Sequence, residues 1–253
     1  MEIKIKHLDY CFQDNEVLKG INAEFEKGKL YGIVGPNGSG KTTLIKLLSR
    51  LLKSKKNSLF VCDKELNEYK DKEIARKTSL VPQMFHISHG FSVEEVVAMG
   101  RYPHLKDFGE MSIKDWEMIR DALEQTSLTK LKGRQVNELS VGELQRVILA
   151  RAIAQDTPIM LLDEPLSHLD IHHQLEILNL LKDLCENKNK TILCVMHDLN
   201  LTMKFADRVL LINEGKIFKN GCVNEVLTEE NIFRVYKIKV NIQHIEDQSI
   251  IIF

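Results

Sequence analysis

The sequence predicts an α/β fold built on a mainly parallel sheet, because three apolar runs each lead into residues suited to ligand binding. Residues 30–34 lead into a glycine-rich turn, residues 159–162 are followed by Asp163, and residues 191–196 are followed by His197. Runs that are apolar throughout are typical of parallel strands buried on both faces. The carboxyl ends of such strands meet at one edge of a sheet, where ligands bind in α/β proteins. We therefore expect one functional site at this edge.

Composition narrows the classes of protein that the chain can represent. Its 253 residues are enough for one large domain or two small ones, and its net charge is −1. This charge balance gives no electrostatic argument for nucleic acid or anionic lipid as a partner. No apolar run approaches the ~20 residues that a membrane span needs. The five cysteines are scattered without a CxxC pattern, which is typical of reduced thiols in a cytosol and not of a zinc site.

The glycine-rich turn has the spacing of a phosphate-binding loop. Its residues are Gly35, Pro36, Asn37, Gly38, Ser39, Gly40, Lys41 and Thr42, and Thr43 continues into a predicted helix. Glycines let successive backbone N–H groups point into one concavity, and the helix N-terminus adds partial positive charge. In this pattern Lys41 reaches the β- and γ-phosphates of a nucleotide, and the Thr42 hydroxyl binds Mg²⁺. The alternative is a plain glycine-rich turn, which the flanking strand and helix make the weaker interpretation.

The other elements are predicted from hydrophobic periodicity and from helix-capping residues. Residues 2–34 are predicted to form strands. Ser92 and Ser112 open two helices within 90–130, a region predicted to be a helical insertion in the α/β body. Further helices are predicted at 43–52, 71–77, 171–186 and 223–236, and further strands at 58–62, 78–81, 209–212, 216–219, 239–245 and 249–253. We find no chemistry in residues 208–253.

Several residues allow two interpretations. Gln83 follows a predicted strand, where its amide could hold a metal or a water or could cap the loop, and the residues alone do not decide. His86 and His89 share this loop without a third ligand, which favours a solvated loop over a metal site. Tyr10 could stack on an adenine ring or lie half-buried in a strand, and the residues alone favour the strand.

Two carboxylates, Asp163 and Glu164, stand together at the end of an apolar strand. Burying such a pair is costly without a partner or a cation. In phosphoryl transfer the first acid can hold Mg²⁺ and the second can polarise a water molecule. His197 ends another strand of the same sheet, within reach of a γ-phosphate, although a core histidine is the alternative. For Asp163 and Glu164 the alternative is an ordinary acidic loop between a strand and a helix. The phosphate-binding loop earlier in the chain argues against that alternative.

Two further stretches have the composition of ordinary helix caps. Ser140 and Glu143 form a capping box ahead of an apolar run. A helix N-terminus of this kind could also bind phosphate, but on its own the stretch favours the cap. Asp170 could likewise be only the N-cap of the helix predicted at 171–186.

Together these motifs resemble the ATP-binding subunits of ABC transporters along nearly the whole chain. In the family's order, the matching stretches are Tyr10 for the A-loop aromatic, 35–42 for Walker A, Gln83 for the Q-loop, 139–143 for the signature, 161–164 for Walker B, 167–170 for the D-loop and His197 for the switch histidine. The resemblance implies an ABC ATPase (P-loop NTPase) core with an antiparallel β-subdomain and an inserted α-helical subdomain. It implies one nucleotide-binding domain over residues 1–253, with the helical subdomain at about 84–155.

The resemblance also implies a mechanism, in which ATP and Mg²⁺ lie between two copies of the chain arranged head to tail. The implied nucleotide contacts are residues 35–43, Tyr10, Ser140, Gly142, Glu143 and Asp170; the implied Mg²⁺ ligands are Thr42, Gln83 and Asp163; and the implied catalytic residues are Glu164, His197 and Gln83. Tyr10 is thereby reinterpreted as an adenine contact. One departure is Val141, which stands where the family usually has glycine. A β-branched residue cannot take φ > 0 cheaply. Ser140 and Gly142 remain to meet the phosphate, so we expect function to be retained.

Within the family, residues 100–104 and 167–171 resemble importers of ferric siderophores, haem and vitamin B12. Importers of zinc and manganese have similar sequence motifs in these stretches and are one alternative. A soluble ABC ATPase without a transport partner is another. The importer interpretation implies integral membrane permease subunits, an extracytoplasmic substrate-binding protein and a position at the cytoplasmic face of the cell membrane. We expect the permease to contact the loop at 84–90, with Phe85 and Phe91 supplying apolar surface.

Overall fold

The computed structural model describes residues 2–85, 90–106, 109–167, 169–245 and 248–253. Its strands are β1 (Ile3–Phe12), β2 (Asn15–Phe25), β3 (Leu30–Val34), β4 (Leu59–Val61), β5 (Lys64–Glu65), β6 (Thr78–Val81), β7 (Ile159–Leu162), β8 (Thr191–Val195), β9 (Arg208–Asn213), β10 (Lys216–Cys222), β11 (Asn241–Ile245) and β12 (Gln248–Ile252). Its α-helices are α1 (Lys41–Leu48), α2 (Asp71–Ile74), α3 (Val93–Ala98), α4 (Ile113–Gln125), α5 (Val141–Ala154), α6 (Ile171–Lys188), α7 (Leu199–Phe205), α8 (Val223–Val226) and α9 (Glu229–Tyr236).

The larger sheet brings the ends of its parallel strands to one edge. Its order is β10-β9-β3-β8-β7-β6, and every pair from β9 to β6 is parallel. Gly35 follows β3, Asp163 follows β7, and His197 and Gln83 come two residues after the ends of β8 and β6. The predicted α/β class is therefore confirmed, and the polar residues predicted at strand ends share one edge of the sheet.

A second, antiparallel sheet covers one face of the first. Its strand order is β2-β1-β4-β5. The family resemblance implied an antiparallel β-subdomain, and this sheet corresponds to it. Strand β3 separates the two cores: Tyr31 and Ile33 pack with the antiparallel sheet and α1, while Leu30 and Val34 pack on the other side with α3 to α7. This division follows from the alternation of side chains along a strand. The core is thus built on both faces of β3, which fixes the phosphate loop at its end.

The helical insertion begins with predicted capping signals. Ser92 caps α3, Ser112 caps α4 and Ser140 caps α5, and in each case the side chain accepts a hydrogen bond from the backbone N–H three residues later. These three capping boxes confirm the helix starts predicted from sequence. Helices α3, α4 and α5 pack against one another and bury the apolar faces that the insertion presents.

Several predicted helices have different bounds in the structure, and the one predicted at 71–77 covers only Asp71–Ile74. The helix predicted at 43–52 begins at Lys41 and ends at Leu48, and Arg50 beyond it takes a φ of +60° that no α-helix contains. The stretch predicted at 223–236 is divided into α8 and α9. The Thr228 side chain accepts a hydrogen bond from the Asn231 N–H, which starts a new helix there.

Candidate nucleotide-binding site

The phosphate-binding loop joins β3 to α1, and its backbone needs glycine at two positions. Gly35 has a φ of +152°, and a Cβ there would clash with the carbonyl oxygen of Ile212 on β9. Gly40 has a φ of +105°, and a Cβ there would lie 2.6 Å from a side chain of β2. Glycine alone adopts such conformations at no steric cost. The loop therefore curls closely over the end of the sheet and leaves Asn37 and Gly38 exposed.

Lys41 and Ser39 are arranged to receive an anion. Lys41 is only 5% exposed, and its ammonium donates to the carbonyl oxygens of Gly35 at 2.8 Å and Pro36 at 2.9 Å. Burial lowers the pKa of Lys41, and nearby carboxylates oppose that shift. The Ser39 Oγ is buried without a hydrogen-bond partner in the described part of the chain. A phosphate group would supply a counter-charge to Lys41 and a partner to Ser39.

Thr42 and Asp163 form a pair that fits a magnesium ion. The Thr42 Oγ1 donates to Oδ1 of Asp163 at 3.0 Å, and Asp163 is buried directly after β7. Burial raises the pKa of Asp163 and the hydrogen bond from Thr42 opposes the rise. Hydroxyl and carboxylate oxygens are ligands that Mg²⁺ accepts. A cation there would also offset the cost of the buried carboxylate.

Glu164 lies between Gln83 and His197. The Gln83 Nε2 donates to Oε2 of Glu164 at 2.8 Å, and Nε2 of His197 lies 2.7 Å from Oε1 of the same carboxylate. The Ser167 hydroxyl donates to Oε2 at 3.4 Å. The structure thus brings the three predicted catalytic residues together. The amide oxygen of Gln83, which a cation would need, takes no part in this hydrogen bond, so the role of Gln83 as a Mg²⁺ ligand stays a prediction.

The backbone of Glu164 is held in an uncommon conformation. Its φ is +53°, in the left-handed region that costs a non-glycine residue about 1–3 kcal/mol and that recurs at active sites. The carboxylate is mostly buried, whereas the His197 ring is about half exposed at 46%. Glu164 is therefore fixed by both its backbone and its partners, at a point that solvent and a ligand can reach beside His197.

The predicted signature stretch forms the N-terminus of α5. The Ser140 Oγ accepts a hydrogen bond from the Glu143 N–H at 3.3 Å, and Oε2 of Glu143 accepts one from the Ser140 N–H at 2.8 Å. The bond from the Ser140 backbone is the main cause that lowers the pKa of Glu143. Gly142 lies in the same turn, where a Cβ would approach the Leu169 side chain at 3.0 Å. The structure places this group at an exposed helix end.

The conflict expected at Val141 does not occur in this structure. Val141 begins α5 and therefore has the negative φ of a helical residue. Its side chain is 63% exposed. A β-branched residue is compatible with this position because no left-handed conformation is needed here.

Two predicted nucleotide contacts lie outside the cluster around Glu164. Tyr10 is half-buried on β1, with its ring centroid 5.0 Å from that of Phe12, and it pairs across the strands with Leu18, the β2 residue beside Gly40. This places Tyr10 near the phosphate loop, with an adenine contact still a prediction. Asp170 caps α6 by accepting the His173 N–H at 2.9 Å. That bond lowers the pKa of Asp170, and its nucleotide contact also stays a prediction.

Two contacts at the site were not predicted from the sequence. Tyr236 ends α9, in the region where we found no chemistry, yet it forms a hydrogen bond with the Gly35 backbone; burial raises the pKa of Tyr236 to about 12 and this bond opposes the rise. Ser167 bonds Glu164 as described above. No pattern could have linked Tyr236 to a glycine about 200 residues earlier. The histidines His86, His89 and His168 lie outside the described residues.

Comparison with known proteins identifies the family. The ABC transporter family model matches residues 18–167. The chain belongs to the ABC transporter family. The iron(3+)-hydroxamate import ATP-binding protein FhuC of Bacillus subtilis (strain 168) is 35% identical over 240 residues, which cover 95% of this chain and 89% of that protein.

Solved structures agree with this membership. A candidate metal-chelate type ABC transporter in an inward-facing conformation has a TM-score of 0.84 and 28% identity, covering 100% of this chain and 98% of that one. The dimeric structure of a bacterial ABC transporter cassette has a TM-score of 0.79 and 27% identity, covering 88% of this chain and 99% of the other.

This ABC subunit is therefore an ATP-binding subunit with the ATPase activity of its family. The predicted ABC ATPase fold is confirmed. Within the residues that the structure covers, none of the helices has both the length and the apolar character to cross a bilayer.

Proposed function

We propose that this ABC ATPase energises the import of a ferric siderophore or a related metal chelate through separate permease subunits. The names of the similar B. subtilis protein and of the similar metal-chelate type transporter support this class of substrate. Haem and cobalamin-type substrates fall within the proposal, and import of zinc or manganese and a soluble function are the alternatives. The proposal that the subunit hydrolyses ATP rests on one observation. The Glu164 carboxylate contacts Gln83 and His197, which follow neighbouring strands.

The phosphate loop and its neighbours would bind the nucleotide. Lys41 and the loop amides hold the β- and γ-phosphates, and Tyr10 stacks on the adenine ring. Thr42, Asp163 and Gln83 would hold Mg²⁺. The bound ion would stabilise the negative charge of the transferring phosphoryl group. The burial of Lys41 and Asp163 supports these roles, because a buried charge is costly and is stabilised by a bound group of opposite charge.

Glu164 would act on the attacking water. Its carboxylate accepts a proton from the water or polarises it as the oxygen attacks the γ-phosphorus. The bond from that phosphorus to the β–γ bridging oxygen then breaks, and ADP leaves with the bridging oxygen. A carboxylate oxygen has two lone pairs, so Oε1 can accept a hydrogen bond from the water beside its contact with His197. His197, once released, donates a hydrogen bond to a γ-phosphate oxygen. The interaction at 2.7 Å between His197 and Glu164 supports a coupling between the two residues.

A second copy of the chain would complete the site. Ser140, Gly142 and Glu143 lie at an open helix end, and Asp170 and Val141 are exposed. A helix N-terminus favours a phosphate through its free N–H groups and its dipole. In a head-to-tail dimer this end meets the phosphates bound by the other copy, so ATP binding closes the dimer and hydrolysis opens it. The similarity to a dimeric cassette supports this arrangement.

The permease would contact the surface beside Gln83. We expected Phe85 and Phe91 to supply exposed apolar contacts, but both are half-buried against the helical core, and the Arg151 guanidinium covers the Phe85 ring at 4.5 Å. Met84 is 74% exposed and adjoins Gln83. We therefore propose Met84 as the apolar contact and Gln83 as the link from that contact to Glu164.

The remaining parts of the proposal concern organisation. The chain is one nucleotide-binding domain over residues 1–253, with its helical subdomain at about 84–155. It is held at the cytoplasmic face of the membrane by the permease, and it reaches an extracytoplasmic substrate-binding protein only through that permease. No nucleic acid takes part.

Reconstituted transport tests the proposal. The subunit is co-expressed with any permease genes that adjoin its own, and uptake of a radioactive ferric siderophore is measured in vesicles. Met84→Ser should retain ATP turnover in the isolated subunit but lower co-purification with the permease and uptake, whereas Phe253→Ser, another exposed apolar residue, should change neither. Failure of the unaltered subunit to co-purify with any permease would support the soluble alternative. Transport of only free zinc or manganese would contradict the chelate assignment.

A further inference from the structure

Three metal-ligating side chains converge on the first turns of α6. Oε1 of Glu176 lies 3.5 Å from Nε2 of His172, and Oε2 of Glu176 lies 2.9 Å from Nδ1 of His173. One ligand atom from each of the three residues falls within 4.8 Å of the others. The spacing explains the convergence, because residues three and four apart lie on the same face of a helix.

We propose that His172, His173 and Glu176 bind a divalent transition-metal ion such as Zn²⁺ or Co²⁺. Two imidazoles and one carboxylate are a donor set that suits these ions and leaves a coordination position open. Ligand atoms about 2.0–2.1 Å from a tetrahedral metal lie roughly 3.3 Å apart. The histidine–glutamate distances of 3.5 Å and 2.9 Å lie on either side of that value but involve different oxygens of Glu176. Closing the site therefore needs side-chain rotations that bring both rings around one ion.

Asp170 supports the same site from outside the ligand shell. Its Oδ2 lies 4.0 Å from Nε2 of His173, the ring nitrogen opposite the one that faces Glu176. A metal-bound imidazole usually donates its other N–H to such an acceptor, which fixes the tautomer and the ring orientation. Asp170, as the N-cap of α6, also places a negative charge at the positive end of the α6 dipole.

Solvent can reach the three ligands. The His172, His173 and Glu176 side chains are 76%, 32% and 45% exposed. An ion can therefore enter without any opening of the core, and water or another ligand can occupy the remaining position.

Cobalt and zinc binding to the full-length chain test the proposal. The purification tag is removed, bound metal is stripped with a chelator, and Co²⁺ is added in excess MgCl₂ so that the Thr42–Asp163 pair is occupied by the harder ion. The unaltered chain should bind one Co²⁺ with visible d–d absorption, and Zn²⁺ should displace it. Calorimetry with Zn²⁺ alone should give the same stoichiometry.

Variants assign the ligands. Changing a residue that only supports a ligand is expected to weaken metal binding by about tenfold. His172→Asn and Glu176→Gln change ligands and should each weaken metal binding by more than that. Asp170→Asn, which keeps a competent N-cap, should weaken it by about tenfold. His7→Asn changes an exposed histidine on β1 and should have no effect. Circular dichroism confirms that each variant is folded.

The outcomes decide the proposal. Loss of Co²⁺ absorption in His172→Asn and Glu176→Gln, with retention in His7→Asn, supports the site. Absence of stoichiometric binding by the unaltered chain overturns it. Equal affinity in the unaltered chain and the two ligand variants also overturns it, because the metal is then bound elsewhere.

Discussion

Nε2 of His197 lies 2.7 Å from Oε1 of Glu164, so the residues that follow two neighbouring parallel strands are joined directly. The other oxygen of Glu164 accepts a hydrogen bond from Gln83, which follows the next strand of the sheet. Strands β8, β7 and β6 are adjacent in that order. A displacement at the end of any of these strands would therefore move Glu164, the residue proposed to act on water, or one of its two partners.

Glu164→Gln should bind ATP but lose about 10²- to 10⁴-fold in turnover, because the amide cannot accept a proton from water. The substitution keeps the shape of the side chain, so ATP should accumulate between two copies. Gel filtration with ATP and Mg²⁺ should show a dimer, and steady-state phosphate release should show the loss. Glu138→Gln alters an exposed glutamate and serves as the control. Turnover near the unaltered rate in Glu164→Gln would remove Glu164 from this role.

Lys41→Ala should weaken nucleotide binding itself. The buried ammonium is held by two backbone carbonyls, and a phosphate would give it a far stronger charge-assisted bond. Equilibrium binding of a fluorescent ATP analogue measures the loss, with Lys53→Ala, an exposed lysine after α1, as the matched control. If both variants bind ATP as tightly as the unaltered chain, the loop is not the phosphate site.

The parts of the site that the sequence could predict are those set by neighbours in the chain. Gly35 follows an apolar strand and Asp163 follows another, and both places are fixed by local pattern. The bond between Tyr236 and Gly35 and the two bonds that fix Glu164 depend on how distant segments pack. No period or motif encodes such contacts. The partial burial of Phe85 could not be predicted for the same reason, because Arg151 comes from a helix more than 60 residues later.

The helical insertion contains a buried ion pair that should control its stability. Nε of Arg101 donates to Oδ1 of Asp115 at 2.9 Å, and Nη1 donates to the Ala154 carbonyl oxygen at 2.7 Å. Arg101→Met removes one partner of the pair and leaves the Asp115 carboxylate buried without its counter-charge. Breaking a buried pair in this way costs about 3–5 kcal/mol. Urea unfolding should show this loss, and Arg134→Met, an exposed arginine paired with Glu138, should change the midpoint little.

The same pair predicts a dependence of stability on pH. Burial alone would raise the pKa of Asp115, but hydrogen bonds from Ser112 and Arg101 outweigh it and lower the pKa to about 2 from an ordinary 3.8. Because the folded pKa is the lower one, this contribution is present above pH 3.8 and is lost as the pH falls toward about 2. Asp115→Asn should flatten this acid limb of the curve of unfolding free energy against pH. An unchanged acid limb would show that other carboxylates control it.

The C-terminal hairpin should depend on a single amide. The Asn200 Nδ2 donates to the Ile251 carbonyl oxygen at 3.0 Å, and the Asn200 Oδ1 accepts the Ile251 N–H at 2.7 Å. These bonds tie β12 to α7, the helix that begins two residues after His197. Asn200→Ala leaves both backbone groups of the buried Ile251 unpaired, at a cost of about 1–3 kcal/mol for each unsatisfied group.

Hydrogen exchange tests this dependence. In Asn200→Ala, amide exchange in β12 should accelerate far more than in β3 or β7, because the hairpin opens while the main sheet stays intact. Asn187→Ala removes an exposed asparagine that bonds Asp183 within α6 and should leave β12 protected. Equal protection of β12 in both variants would mean that apolar packing of Ile251, and not the amide pair, holds the hairpin against α7.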